Sequence, residues 1–151
     1  MDFEELLELV RILRDNLTDH AYKTYWHSAT RMDDGVIAMG YPQYEPWIWN
    51  GIFASHSLLC DFMGGEWEHY LELDLNNHES IAQANLNELT DWILHLWRGE
   101  RFCDGHIGQA TELGCTLAIA QRTIELAEEW LAHHPHPRKI RDTLTPGWYQ
   151  E

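Results

Sequence analysis

Apolar residues recur along much of this chain at steps of three and four, the spacing that lines up one face of an α-helix. Phe3, Leu6, Leu7, Val10, Leu13 and Leu17 form the first such face. Asp2, Glu4 and Glu5 stand in its first turns and Arg11 and Arg14 come later, the order that the helix dipole favours. Ile52, Phe53, His56, Leu59, Cys60 and Met63 mark a shorter helix closed by Gly64 and Gly65. Ala82, Leu86, Leu89, Ile93 and Leu96, with Trp97 at the edge, predict a helix running from Glu79 to Arg98. Leu117, Ala120, Ile124, Ala127, Trp130 and Leu131 predict a final one, which ends before Pro135 and Pro137 because proline cannot continue it. The stretch from Glu100 to Leu113 reads as helical with an interruption at Gly105 or Gly108.

Elsewhere the period fades. Residues 18–31 either extend the first helix or start another. Met32 to Asn50 has the signals of a connector, since Gly35 and Gly40 loosen it and Pro42 and Pro46 bias the residues before them away from helix. Its rings, Tyr41, Tyr44, Trp47 and Trp49, suit a connector packed down onto the helices. Glu66 to Leu75 is compatible with a brief helix or a strand-like piece. With no alternation of strand and helix, no series of strands and turns and no internal repeat, the expected fold is all-α: a compact irregular or orthogonal bundle of about five helices. Residues 1–132 are expected to form a single helical domain, and 133–151 a basic tail containing proline and histidine.

Composition narrows the partners. The 151 residues suit one domain, and eight tryptophans supply enough apolar ring surface to offset the entropy of ordering the backbone. The opening MDFEELLELV has acids where a signal peptide carries lysines, and no stretch approaches the length of a membrane span, so a cytoplasmic location is expected. Cys60, Cys103 and Cys115 form no CxxC and read as free, buried thiols. The formal net charge is −15, and between Met32 and Trp97 there is no Lys or Arg. Asp33, Asp34, Glu45, Asp61, Glu66, Glu68, Glu72, Asp74, Glu79, Glu88 and Asp91 fall within that stretch. Such a surface repels a phosphate backbone and an anionic membrane alike, which excludes direct nucleic-acid and membrane binding through it. It fits a basic protein partner instead.

The run ILHLWRGERFCDG, from Ile93 to Gly105, closely resembles an Arg-x-x-Arg-Phe-Cys-(Glu/Asp)-Gly hallmark of a family of small prokaryotic proteins known as domain of unknown function 6508. YPQY at Tyr41 to Tyr44 is similar to its weaker second hallmark, an aromatic-Pro-x-Tyr segment ahead of a helix. The resemblance covers most of Tyr41 to Trp130, and the chain departs from the pattern between Glu66 and His78 and in the tail. It implies a helical architecture and no mechanism.

Arg98 and Arg101 are the first bases after the long stretch without any, and on a helix Arg101 and Asp104 share a side. Two readings follow. In one, both arginines belong to an internal Arg–carboxylate network that ties this helix to the Tyr41–Tyr44 connector. In the other, they bind an anionic ligand lined by Tyr41, Tyr44, Asp104 and His106. Glu88, Asp91 and His95 fall together on the helix wheel opposite Leu86, Leu89 and Ile93, and are expected to face solvent, where they resemble a cation site as much as an acidic stripe. No HExxH, nucleophile elbow or phosphate loop occurs, so no metal, cofactor or catalytic residue is assigned. Three functions remain in view: a binding protein presenting Asp61, Glu66, Glu68, Glu72, Asp74, Glu88 and Asp91 to a basic partner; an enzyme or small-ligand receptor centred on the arginines; and a homo-oligomer joined through Trp47 and Trp49.

Overall fold

The computed structural model describes residues 1–20, 25–27, 30–38, 41–68, 73–102 and 105–141. Among them five α-helices build the molecule: α1 (Phe3–Thr18), α2 (Pro46–Ser57), α3 (Leu86–Phe102), α4 (His106–Glu112) and α5 (Cys115–His133). The fold is all-α; Glu72, Cys103 and residues 142–151 lie outside the described residues.

Helix α1 starts where its first acids direct it. The Asp2 carboxylate accepts the Glu5 N–H and the Glu5 carboxylate accepts the Asp2 N–H, a reciprocal cap that satisfies two otherwise orphaned donors. Its apolar face, Phe3, Leu6, Leu7, Val10, Leu13 and Leu17, is buried as the periodicity requires. This face packs against α2 and α5. Contact with α2 is close because Gly51 has no side chain: a Cβ there would lie 2.5 Å from Leu13 Cβ. Phe3 is held edge-on by Phe62 and stacked on Trp130, each at 5.4 Å between ring centroids.

Residues 18–31 were expected to extend the first helix or start another and Met32 to Asn50 to be a connector, but α1 stops at Thr18 and short strands follow it. Antiparallel strands β1 (Tyr25–His27) and β4 (Tyr41–Gln43) pair, and within that span β2 (Thr30–Arg31) pairs with β3 (Ile37–Ala38). These short ladders were not apparent from composition, which showed only the glycines and prolines of a loop. Helix α2 then begins at Pro46, whose missing N–H costs nothing in a first turn. Trp47 and Trp49 therefore belong to the helix and not to the connector. The helix continues into a π-turn at Leu58–Phe62 and stops at Gly64, where φ is +76°.

Helix α3 begins later than its apolar spacing predicts. Residues Glu79–Gln83 form a 3₁₀ turn, and Asn85 caps α3 by exchanging hydrogen bonds with Glu88. From Leu89 to Leu94 every residue is buried, including Thr90 and Asp91, so this helix is covered on more than one side. The interruption falls at Gly105, with φ at +91°, and Gly114 separates α4 from α5. The tail does not run off after α5: Ile140 and Arg141 return to the carbonyl of Asp61.

Candidate functional site

The junction between the end of α3, the start of α4 and the segment ahead of α2 is organised by a residue the sequence reading passed over. Glu100 Oε2 accepts the Gly105 N–H at 2.9 Å, and Oε1 accepts the Ile107 N–H at 2.9 Å. Its carboxylate thus caps the first turn of α4, where unpaired donors and the helix dipole favour a negative charge. The Tyr44 hydroxyl donates to Glu100 Oε1 at 2.5 Å and accepts the buried Gly108 N–H at 3.1 Å. Tyr44 is buried and also meets Trp49 edge-on at 5.6 Å. A tyrosine in the aromatic-Pro-x-Tyr segment and a glutamate between the two arginines are therefore joined, and together they fasten three elements.

Behind this cap lies a group of imidazoles. His106 packs directly over Gly99, where a Cβ would come within 2.1 Å of His106 Cδ2 and 2.5 Å of its Cγ. The rings of His95 and His106 meet edge to face at 5.0 Å, and Trp92 lies against His95 at 6.3 Å. On the neighbouring side of α3, Trp97 packs between Phe53 at 6.4 Å and His56 at 5.8 Å. Burial, which disfavours the charged ring, lowers the pKa of all three histidines below 6.5; for His95 the nearby His106 lowers it further. Glu100 opposes the effect at His106 and Asp61 opposes it at His56. The Nε2 atom of His106 is buried and has no hydrogen-bond partner among the described residues. Among the described residues, no group of three His, Cys, Asp or Glu side chains is placed to hold a metal ion.

The residues proposed to line an anion site are only partly brought together. Tyr44 and His106 both meet the Glu100 segment, and Arg98 lies with its guanidinium 4.9 Å above the ring of Trp67, a cation–π contact. Arg101 is exposed. The side chain of Tyr41 and all of Asp104 lie outside the described residues. Tyr44 and the first turn of α4 are engaged by the carboxylate of Glu100, and a carboxylate there opposes the approach of a second anion.

The acidic set divides. Asp61 and Asp91 are 1% exposed and cannot belong to a partner-facing surface. Asp61 accepts the Ser57 hydroxyl at 2.9 Å, and Asp91 accepts the Glu68 N–H at 2.9 Å, so both serve as internal acceptors, Asp61 within the end of α2 and its π-turn and Asp91 holding the segment at Glu68 to α3. Asp91 was expected to face solvent with Glu88 and His95; instead Glu88 is engaged in the α3 cap and His95 in the imidazole group. Glu66, Glu68 and Asp74 are exposed, with Glu66 paired to Arg141 at 2.9 Å, and Glu72 lies outside the described residues. Cys60 and Cys115 are buried, and burial pushes both thiols up to about 12, which makes them inert at neutral pH; Asp61 adds to the shift at Cys60.

The signals for the missed residues were of uneven quality. Glu100 lies five residues before a glycine that opens a helix, a spacing that fits no standard cap, whereas Asn85–x–x–Glu88 is an ordinary capping pattern. His56 gave no signal beyond its position on an apolar helix face, whereas His95 was singled out with Glu88 and Asp91 but for a solvent-facing set. No helix of the described residues is long and apolar enough to cross a membrane. A model of the family described as "Family of unknown function (DUF6508)" matches residues 1–129. No curated protein matches the chain, and no solved structure matches it.

Proposed function

Since this chain belongs to the DUF6508 family of unknown function, and nothing in that membership assigns a reaction, we propose that it is a cytoplasmic, non-catalytic binding protein whose acidic surface engages a basic protein partner. In this reading it acts as an inhibitor or accessory factor, with carboxylates standing where a nucleic acid would present phosphates.

The observation that carries the reading is a surplus of exposed, unneutralised carboxylates. Asp33, Asp34, Glu68, Asp74 and Glu79 are exposed, and among the described residues none of them forms an ion pair. They all come from the stretch without Lys or Arg. Like charges left unpaired on a surface repel one another, and a cationic partner relieves that repulsion while its approach is accelerated by the long-range field. The competing reading, an anion-binding site at Arg98 and Arg101, is weakened because Tyr44, one of the residues meant to line it, is bonded to the Glu100 carboxylate.

The test is capture of partners from host lysate by the wild-type chain and by a Glu68→Gln, Asp74→Asn, Glu79→Gln variant, at about 50 mM and about 300 mM salt. A basic protein retained by the wild type at low salt, released at high salt and bound poorly by the variant supports the reading. Partners indifferent to both changes contradict it.

A further inference from the structure

The one locally basic part of the chain folds onto its acidic part. Arg138, Lys139 and Arg141 follow α5, with Pro135 and Pro137 keeping the intervening backbone out of helix. The segment meets the end of the helix formed by α2 and its π-turn. There the backbone N–H groups of Ile140 and Arg141 both donate to the Asp61 carbonyl, at 2.5 and 2.9 Å. The Arg141 guanidinium then donates through Nη1 to the Gly65 carbonyl at 3.2 Å and through Nη2 to Glu66 Oε1 at 2.9 Å. The Lys139 ammonium lies 5.9 Å from the centre of the Phe62 ring.

Each contact has a reason to favour a basic, extended segment. The last carbonyls of a helix lack intrahelical partners and carry the negative end of its dipole. Asp61 presents such a carbonyl outward even though its side chain is buried. Gly65 turns inward tightly, with its N–H on the Leu59 carbonyl at 2.7 Å, and so leaves its own carbonyl to the guanidinium. Glu66 completes the site with a charge.

We propose that the surface from Asp61 to Glu66 is a docking site for an extended, arginine-bearing segment of a basic partner protein, and that residues 139–141 occupy it in cis. This deepens the acidic-surface reading and rests on it. What the site recognises in its own tail is generic: two consecutive backbone N–H groups and a guanidinium fork, which any extended segment with arginine can offer. Ile140 is 63% exposed, so its side chain adds little burial to the contact. The ion pair is open to water, with Arg141 at 39% and Glu66 at 69% side-chain exposure, and such pairs are individually weak. The tail holds the site through the high effective concentration that a short linker confers, and an outside segment must displace it. The tail thereby sets a threshold that partners must exceed. The family match ends at residue 129, before this segment begins.

The probe is a fluorescein-labelled, end-blocked peptide with the sequence of residues 134–141, followed by anisotropy with full-length protein. The wild type binds it weakly, since its own tail competes. Arg141→Ala removes the guanidinium, and Ile140→Pro removes one of the two N–H donors while keeping every charge; both variants release the tail and bind the probe at least about tenfold more tightly. Adding Glu66→Lys to Arg141→Ala abolishes that gain. The proposal is overturned if both variants bind the probe no better than the wild type. It is also overturned if light scattering shows a wild-type dimer that Arg141→Ala converts to monomer with no gain in probe binding, because the occupant is then a second copy. Probe failure with charge-dependent capture intact removes this site and leaves the acidic-surface reading standing; the reverse pattern removes the reading and leaves a peptide site.

Discussion

Glutamine at position 100 would keep the shape of the side chain but replace one accepting oxygen with an NH₂ group that faces a backbone donor. Glu100 now accepts the N–H groups of Gly105 and Ile107 and the hydroxyl of Tyr44. Glu100→Gln should therefore cost about 1–3 kcal/mol, read as a lower urea midpoint with unchanged slope. Gly99→Ala tests the neighbouring contact. Its methyl would collide with the His106 ring, and overpacking of this kind costs about 1–3 kcal/mol. Adding His106→Ala to Gly99→Ala should recover part of the loss, and a double variant no more stable than Gly99→Ala alone would show that the clash is not the cause. The histidines give a pH dependence with a definite sign. Burial holds His56, His95 and His106 below 6.5 in the folded chain, so on acidification the unfolded chain takes up protons first. Stability is full above pH 6.5 and declines as pH falls from there toward the lowered values. Thermal midpoints across that range should show the decline, and His95→Gln should flatten it. Little of this was legible beforehand: Arg98, Arg101, Tyr44 and His106 were singled out by residue type and position, whereas Glu100 and Gly99 act through backbone donors and missing volume, which a one-letter pattern does not display.

Helix α3 shows where periodicity informs and where it misleads. The apolar steps through Leu86, Leu89, Ile93 and Leu96 identified the helix and its buried side. They placed its start at Glu79 because Ala82 happens to keep the phase, although Glu79–Gln83 is a separate 3₁₀ turn. The cap itself was in plain view, since Asn85 and Glu88 exchange side-chain bonds with each other's N–H groups. Asn85→Ala should cost about 1 kcal/mol, measured by chemical denaturation, and an unchanged midpoint would mean that the cap contributes nothing. Asp91 was misplaced for a different reason. A helix wheel assumes that polar residues face water, but the loop carrying Glu68 covers that side of α3 and needs an acceptor for its backbone N–H. The β-pairs ahead of α2 escaped notice because strands of two or three residues leave no alternation to count. For α1 pattern and structure agree. On α5 Ala120, Ile124 and Ala127 are buried as expected, but so are Cys115, Thr116, Ile119 and Thr123, because several elements pack around this helix, while Leu117, Trp130 and Leu131 are only partly buried.

For the molecule as a whole, charge is the property that the fold does not consume. A formal net of −15 is far beyond what stability asks of a domain this size, and it opposes the compact state through self-repulsion. The buried acids are committed to internal bonds, while Asp33, Asp34, Glu68, Asp74 and Glu79 remain at the surface without ionic partners among the described residues. Total charge was readable from composition; the division between buried and exposed carboxylates was not, because it depends on which loops cover which helices. The same holds for the tail, whose basic character was evident and whose return to Asp61 was not. The most direct measurement is the salt dependence of affinity for the captured basic partner, made with purified wild type and the Glu68→Gln, Asp74→Asn, Glu79→Gln variant. Affinity should fall as salt rises, and fall less steeply for the variant. Affinity independent of salt, or an identical slope for both proteins, would contradict the acidic-surface account.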